Sequence, residues 1–452
     1  MRITLPRVLV AVLLVLILAI GIYLIPPVRE RVDTRVELVR MQIYSYFNPP
    51  DQAVFQPEQQ SQLATIVAAT MQAYQYQTPV APTATVTPPP GAPTFPPTIT
   101  PTPLPTTVAL TGIKYEDQSG LYNYCGPTNF SMALTYWGWT GNRYTIGKVL
   151  MPGNNLDKNG KPGNNDKNVM PYELQDYITK YVPGMTSIIR YGGDIDLLRS
   201  MIAAGYPVVV EKGIDEVDIN GKFSWMGHYA FVTGYDDAKQ EIIYQDTYQP
   251  SGAPPGHNRR ISYDKFNEGW RAFNDVFIVV YPFDREAQVN NLLGDYVDNN
   301  WALQHALDVA QGETKTLTGR DQYFAWFNVG TSYVEMNDYT DAAQAYDTAF
   351  PLYNGLGKNV ILPYRMLWYQ TGLYKAYFYT NRWNDVINFA STTLKTTSDG
   401  RPTLEESLYW RAKAEYALGD VTSAIADYRA ALILHPDWVP AVQALQDLGV
   451  QP

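Results

Sequence analysis

Cys125 is the only cysteine among 452 residues. It opens the run Cys-Gly-Pro-Thr-Asn-Phe-Ser-Met-Ala-Leu-Thr-Tyr-Trp, in which Phe130, Ala133, Leu134 and Trp137 recur at spacings of three and four. That is the pattern of a helix with one buried face. Pro127 suits the first helical turn, where its missing N–H is not needed. Cys125 is therefore expected at the N-terminus of a partly buried helix, where free N–H groups and the positive end of the dipole favour a thiolate. A lone cysteine is more often an inert core residue, so its partners must decide. A thiol nucleophile needs a base within reach and a third group to orient that base. Of the four histidines, His435 lies in a Leu-His-Pro-Asp turn, His305 on a helical stretch and His257 in the Pro/Gly-rich loop 250–258. His228 instead enters the apolar strand Gly227-His-Tyr-Ala-Phe-Val-Thr-Gly-Tyr-Asp236, within the same region as Cys125. The two are expected about 3–4 Å apart. The chain then turns at 236–240 and returns as Glu241-Ile-Ile-Tyr-Gln-Asp-Thr247. With Tyr235 opposite Glu241, Asp246 falls opposite Ala230 on the face of His228, and a one-residue slip would move it to the other face. Asp236 and Asp237 are expected to be solvated in the turn.

Several elements must position these groups. Helical patterns cover 125–137, 171–183 and 194–204, and strand-like runs cover 206–213, 226–235, 241–248 and 275–282. Helices first and strands later predict an α+β domain with a largely antiparallel sheet. The polar loop 153–167 has a faint calcium-loop spacing of Asp and Asn, but no glutamate closes it. From 284 the pattern is helical to the end. Trp326, Gly330, Tyr333, Ala342, Tyr346 and Ala349 match the tetratricopeptide signature, with degenerate copies around Tyr377–Leu394 and Ala412–Pro436. Stacked helix pairs of this kind form a short all-α solenoid with a concave face suited to a protein or peptide partner. This region is expected to hold no strands and no titratable cluster of catalytic type.

The N-terminal quarter has another character. Residues 8–25 carry no charge and are long enough to span a bilayer, so 1–27 reads as an uncleaved membrane anchor. Arginines flank both of its sides and the positive-inside rule does not orient it. Residues 28–77 read as a juxtamembrane helical segment. Residues 78–108 contain 11 prolines and 10 threonines and no charge, a disordered, extended linker or stalk. A stalk after an anchor implies that 109–283 and 284–452 work outside the cytoplasm. The net charge of −10 without a dense Lys/Arg block argues against nucleic acid, and one cysteine excludes a disulfide within the chain. No cofactor and no metal-ligand set is expected from the motifs.

Cys125-Gly-Pro-Thr, a helix ending Tyr-Trp-Gly138, Gly227-His228 with Val-Thr-Gly-Tyr-Asp236, and Asp246 together resemble peptidase family C thirty-nine in its stand-alone, C thirty-nine-like branch of the papain superfamily. The resemblance covers roughly 110–283. It implies a papain-like cysteine peptidase domain with Cys125 as nucleophile, His228 as base then acid, and Asp246 holding the imidazole. It also implies an oxyanion hole from the Cys125 N–H and an upstream glutamine. Gln118 is the nearest, seven residues before Cys125, with Asn123 as the fallback; Thr247 stands where the family often has proline. Members of this branch joined to tetratricopeptide repeats are familiar in bacterial sequences. A membrane-anchored peptidase or amidase acting on a peptide or protein is the leading reading. A silent peptide-binding module on the same fold, or a scaffold carried by the repeats, are the alternatives.

Overall fold

The computed structural model describes Gly21 and residues 103–452 apart from 122, 153–167, 219–222, 250–254, 358 and 396–403. The expected anchor, the segment 28–77, nearly all of the stalk and the polar loop 153–167 lie outside the described residues. Among the described residues no helix is long and apolar enough to cross a membrane.

In chain order the domain comprises β1 (Thr107–Ala109), α1 (Cys125–Tyr136), α2 (Arg143–Leu150), α3 (Pro171–Tyr181), β2 (Met185–Arg190), α4 (Ile195–Ala203), β3 (Val208–Val217), β4 (Phe223–Asp236), β5 (Glu241–Gln245), β6 (Arg259–Ser262), α5 (Tyr263–Arg271) and β7 (Phe277–Pro282). The strands form one sheet in the order β2-β7-β3-β4-β5-β6, with β1 added alongside β4. The end of the Pro/Thr segment thus differs from the linker expected to 108. Thr107 and Val108 are β-branched, favour a strand, and pair with Asp236 and Tyr235. Helix α2 and strands β2 and β6 carry too few periodic positions to stand out in the sequence.

Alternation along the central strands sends successive side chains to opposite faces. Val208, Val210, Ala230, Val232, Phe277 and Val279 join one core under α4 and α5. Val209, Phe231, Ile278 and Val280 join another with Phe130 and Leu134 of α1 and Leu174 and Ile178 of α3. Helix α1 is buried from Gly126 to Thr135, more completely than its pattern predicts, because α2, α3 and the sheet enclose it. Fully burying a side chain such as Phe130 or Leu134 contributes about 1.5–3 kcal/mol.

All regular elements described after β7 are helical: α6 (Glu286–Leu293), α7 (Asn299–Thr316), α8 (Gly319–Glu335), α9 (Tyr339–Asn354), the single turn α10 (Met366–Tyr369), α11 (Gly372–Tyr379), α12 (Trp383–Lys395), α13 (Glu405–Ala417), α14 (Val421–Leu434) and α15 (Val439–Asp447). The small residues of the repeat pattern do close the helix pairs. A Cβ on Gly330 would stand 2.6 Å from the Tyr346 ring, and Ala342, Ala349, Ala390, Ala412, Ala424 and Ala431 are fully enclosed. Tyr346, Tyr377 and Tyr428 are buried between helices, so these aromatics are packing and not a binding face.

The change near 284 is one of secondary-structure type, not a gap in packing. Trp225, Ala272, Phe273 and Val276 share a single core with Tyr323, Phe324, Phe327 and Tyr346. Polar links reinforce it: Asn274 donates to Ser332 at 3.0 Å, Asn328 to the Arg271 carbonyl at 2.7 Å, and Arg320 pairs with both oxygens of Asp215 at 3.0 Å.

Candidate active site

Cys125 is the first residue of α1, and its thiol is half-buried. The His228 side chain and the Tyr229 and Gly126 N–H groups lie around its sulfur and act on its ionisation. Burial opposes ionisation, but the His228 hydrogen bond and charge outweigh it and hold the thiol below its ordinary pKa. His228 is buried on β4, and its Nε2 lies 2.9 Å from Asp246 Oδ1. Burial alone would depress the imidazole; Asp246 first, and then Cys125, raise it instead to about 9. Burial likewise works against the Asp246 carboxylate, yet His228 and Arg259 bring it down to about 2. The three groups therefore favour a thiolate facing an imidazolium, with a carboxylate behind it.

The position of Asp246 depends on an irregularity. The hairpin closes with Asp236 opposite Glu241 and Tyr235 opposite Ile242, one residue away from the expected register. Continued straight, that register would set Asp246 against Phe231, on the wrong face. A bulge between Val232 and Gly234 resets the ladder, so that Phe231 pairs with Gln245 and the next residue falls beside Ala230. The Asp246 N–H donates to the Gly256 carbonyl at 2.8 Å, and its Oδ1 accepts the Tyr248 N–H at 3.0 Å. Asp236 and Asp237 are not freely solvated as expected. Asp236 is buried against Arg260, and Asp237 accepts from Arg199 and Tyr263, because β6 and α5 cover the turn.

Gln118 is buried beside the same strand end. Its N–H donates to the Thr247 carbonyl at 2.9 Å, and its side-chain oxygen accepts the Thr247 hydroxyl at 2.9 Å. Thr247 thereby orients the amide, a task a proline there could not perform. Asn123 has a φ of 56°, the left-handed region that Asn tolerates, in the turn leading to Cys125. Of the other histidines, His305 stacks on Trp301 at 4.9 Å, His257 is exposed edge-on to Tyr115, and His435 faces Glu173 and Glu405.

Four residues escaped the sequence reading. Asn129, one turn after Cys125, donates its amide to the Cys125 carbonyl at 2.9 Å and the Tyr229 carbonyl at 2.8 Å, tying α1 to β4. A fully buried polar residue on the apolar face of α1 was the available signal. Arg259 on β6 pairs with Asp246. Glu211 on β3 is buried near Cys125; burial first, then the Cys125 charge, pushes its carboxyl well above the usual range. Tyr369 comes from the helical region, and its ring packs over Gly227. Gly227 must lack a side chain, since a Cβ there would stand 2.7 Å from the Phe273 ring and 2.9 Å from that of Tyr369.

Residues 110–278 match the family model of the peptidase C39-like family, and residues 406–437 match that of a tetratricopeptide repeat. The chain thus carries a C39-like peptidase domain followed by a tetratricopeptide repeat. Among solved structures it is similar to a protein described as a C39-like peptidase from Bacillus anthracis, at 20% identity, with 39% of this chain and 97% of that one covered and a TM-score of 0.30. It is also similar to xylellain, a cysteine protease from Xylella fastidiosa, at 14% identity, with 40% and 87% covered and a TM-score of 0.28. No curated protein matches it.

Proposed function

We propose that this chain is a membrane-tethered cysteine peptidase or amidase that hydrolyses a peptide or protein outside the cytoplasm. The observation that carries the reading is the buried His228–Asp246 pair, 2.9 Å apart, beside a Cys125 thiol whose ionisation it favours. The Cys125 thiolate attacks the scissile carbonyl, and the resulting oxyanion takes hydrogen bonds from the Cys125 N–H and the Gln118 amide. Imidazolium His228 then gives its proton to the leaving amine. The neutral ring next takes a proton from the water that hydrolyses the thioester. Asp246 keeps the ring oriented throughout and stabilises its charged form, as a triad requires. The tether is the apolar span at 8–25, and the Pro/Thr stalk holds the enzyme away from the lipid. The repeats hold a protein partner or a substrate segment.

Cleavage of an unbiased peptide library tests the activity, with Cys125→Ala as the blank. Iodoacetamide labelling at neutral pH tests the activation: rapid labelling that collapses in His228→Ala supports the enzyme. Labelling as slow as that of free cysteine, with no library cleavage, leaves the binding-module reading instead. Protease shaving of intact cells tests the orientation. Release of fragments containing Trp326 or Trp410 only after lysis would reverse it.

A further inference from the structure

Away from Cys125, three residues distant in sequence meet where the peptidase domain packs on the repeats. Glu173 lies in the first turn of α3, Glu405 opens α13 and His435 follows α14. His435 Nδ1 is 3.6 Å from Glu173 Oε1 and 3.6 Å from Glu405 Oε1. One donor atom from each of the three lies within 4.8 Å of the others. Glu405 is 0% exposed and Glu173 is 5% exposed. Both oxygens of Glu405, Oε1 of Glu173 and Nδ1 of His435 are nevertheless without a hydrogen-bond partner. The neighbouring Glu406, 4% exposed, also leaves its Oε1 unpartnered while its Oε2 accepts the Asn168 amide at 3.2 Å. Burying a carboxylate without a compensating group costs several kcal/mol, and here two of them face one imidazole nitrogen.

We propose that Glu173, Glu405 and His435 form a structural site for a divalent first-row cation, Zn²⁺ or Mn²⁺. Carboxylate and imidazole donors together suit these ions, whereas Ca²⁺ and Mg²⁺ take oxygen ligands. Bonds of about 2.1 Å in a tetrahedral arrangement set donor atoms about 3.4 Å apart, so the two 3.6 Å separations need almost no adjustment. A fourth position remains for water. The Met170 N–H donates to Glu173 Oε2 at 2.7 Å, which fixes that carboxylate from behind. An ion here joins α3 of the peptidase domain to α13 and α14 of the repeats.

The test uses the full chain in detergent carrying Cys125→Ala, so that a thiolate beside His228 cannot compete for metal. The protein is stripped with a chelator and titrated separately with ZnCl₂ and MnCl₂; bound metal is counted by mass spectrometry and melting temperature is followed. One ion per chain with a rise in melting temperature is expected, as is a loss of affinity of tenfold or more in both Glu405→Gln and His435→Gln. Absence of binding to the stripped chain, or unchanged affinity in both variants, overturns the site. X-ray absorption on the loaded Cys125→Ala chain decides even if those variants fail to fold. A single imidazole among oxygen donors supports the assignment, and two or more imidazoles overturn it.

Discussion

His228 is held charged through neutral pH by its neighbour, and this sets the pH range of the proposed reaction. Activity needs the Cys125 thiolate and the His228 imidazolium together. The cleavage rate should rise with pH through a thiol ionisation below the ordinary cysteine range, and fall as His228 loses its proton near about 9. These limbs belong to the coupled pair and not to either residue alone. Asp246 is the main group raising the imidazole, so Asp246→Asn should bring the alkaline limb down toward or below the ordinary histidine value of about 6.5. Cleavage at pH 7.5 should then drop roughly tenfold or more, and a pH–rate profile of the variant measures both effects.

Elements decide whether those residues meet, and here the sequence was only partly legible. Cys125, His228 and Asp246 could be picked out because a unique thiol, a glycine-led strand and a short hairpin are local signals. The bulge at Val232–Gly234 could not, since Val-Thr-Gly reads as unbroken strand and its effect appears only in the pairing with β5. Asn129 and Tyr369 were invisible for another reason: their partners lie 100 and more residues away, and no periodicity links them. The meeting of β4 with α10 gives a prediction. Gly227→Ala drives a methyl group against Phe273 and Tyr369, an overpacking that costs about 1–3 kcal/mol. His228 is the next residue, so cleavage should fall along with the denaturant midpoint. Tyr369→Ala relieves part of the same clash, so the double variant should be less impaired than the sum of the single ones.

At the scale of the whole molecule, the sequence divided at 284 but the packing does not. Repeat signatures locate the helices correctly, yet they say nothing about what the outer face of a helix rests on. A chain ending at Arg285 would leave Trp225, Phe273 and Val276 without the Tyr323, Phe324 and Tyr369 rings that cover them. Exposed apolar patches of that kind promote association. The truncated peptidase should therefore bind the dye ANS and aggregate, and library cleavage should be lost with it; a soluble, active truncation would contradict the shared core. Gly227 and its cover by Tyr369 also impose an order in time. Synthesis runs from the N-terminus, so Cys125, His228 and Asp246 leave the ribosome more than a hundred residues before Tyr369, which packs over Gly227. The surroundings of Gly227 can consequently reach their final packing only late in synthesis, once the helical region has followed.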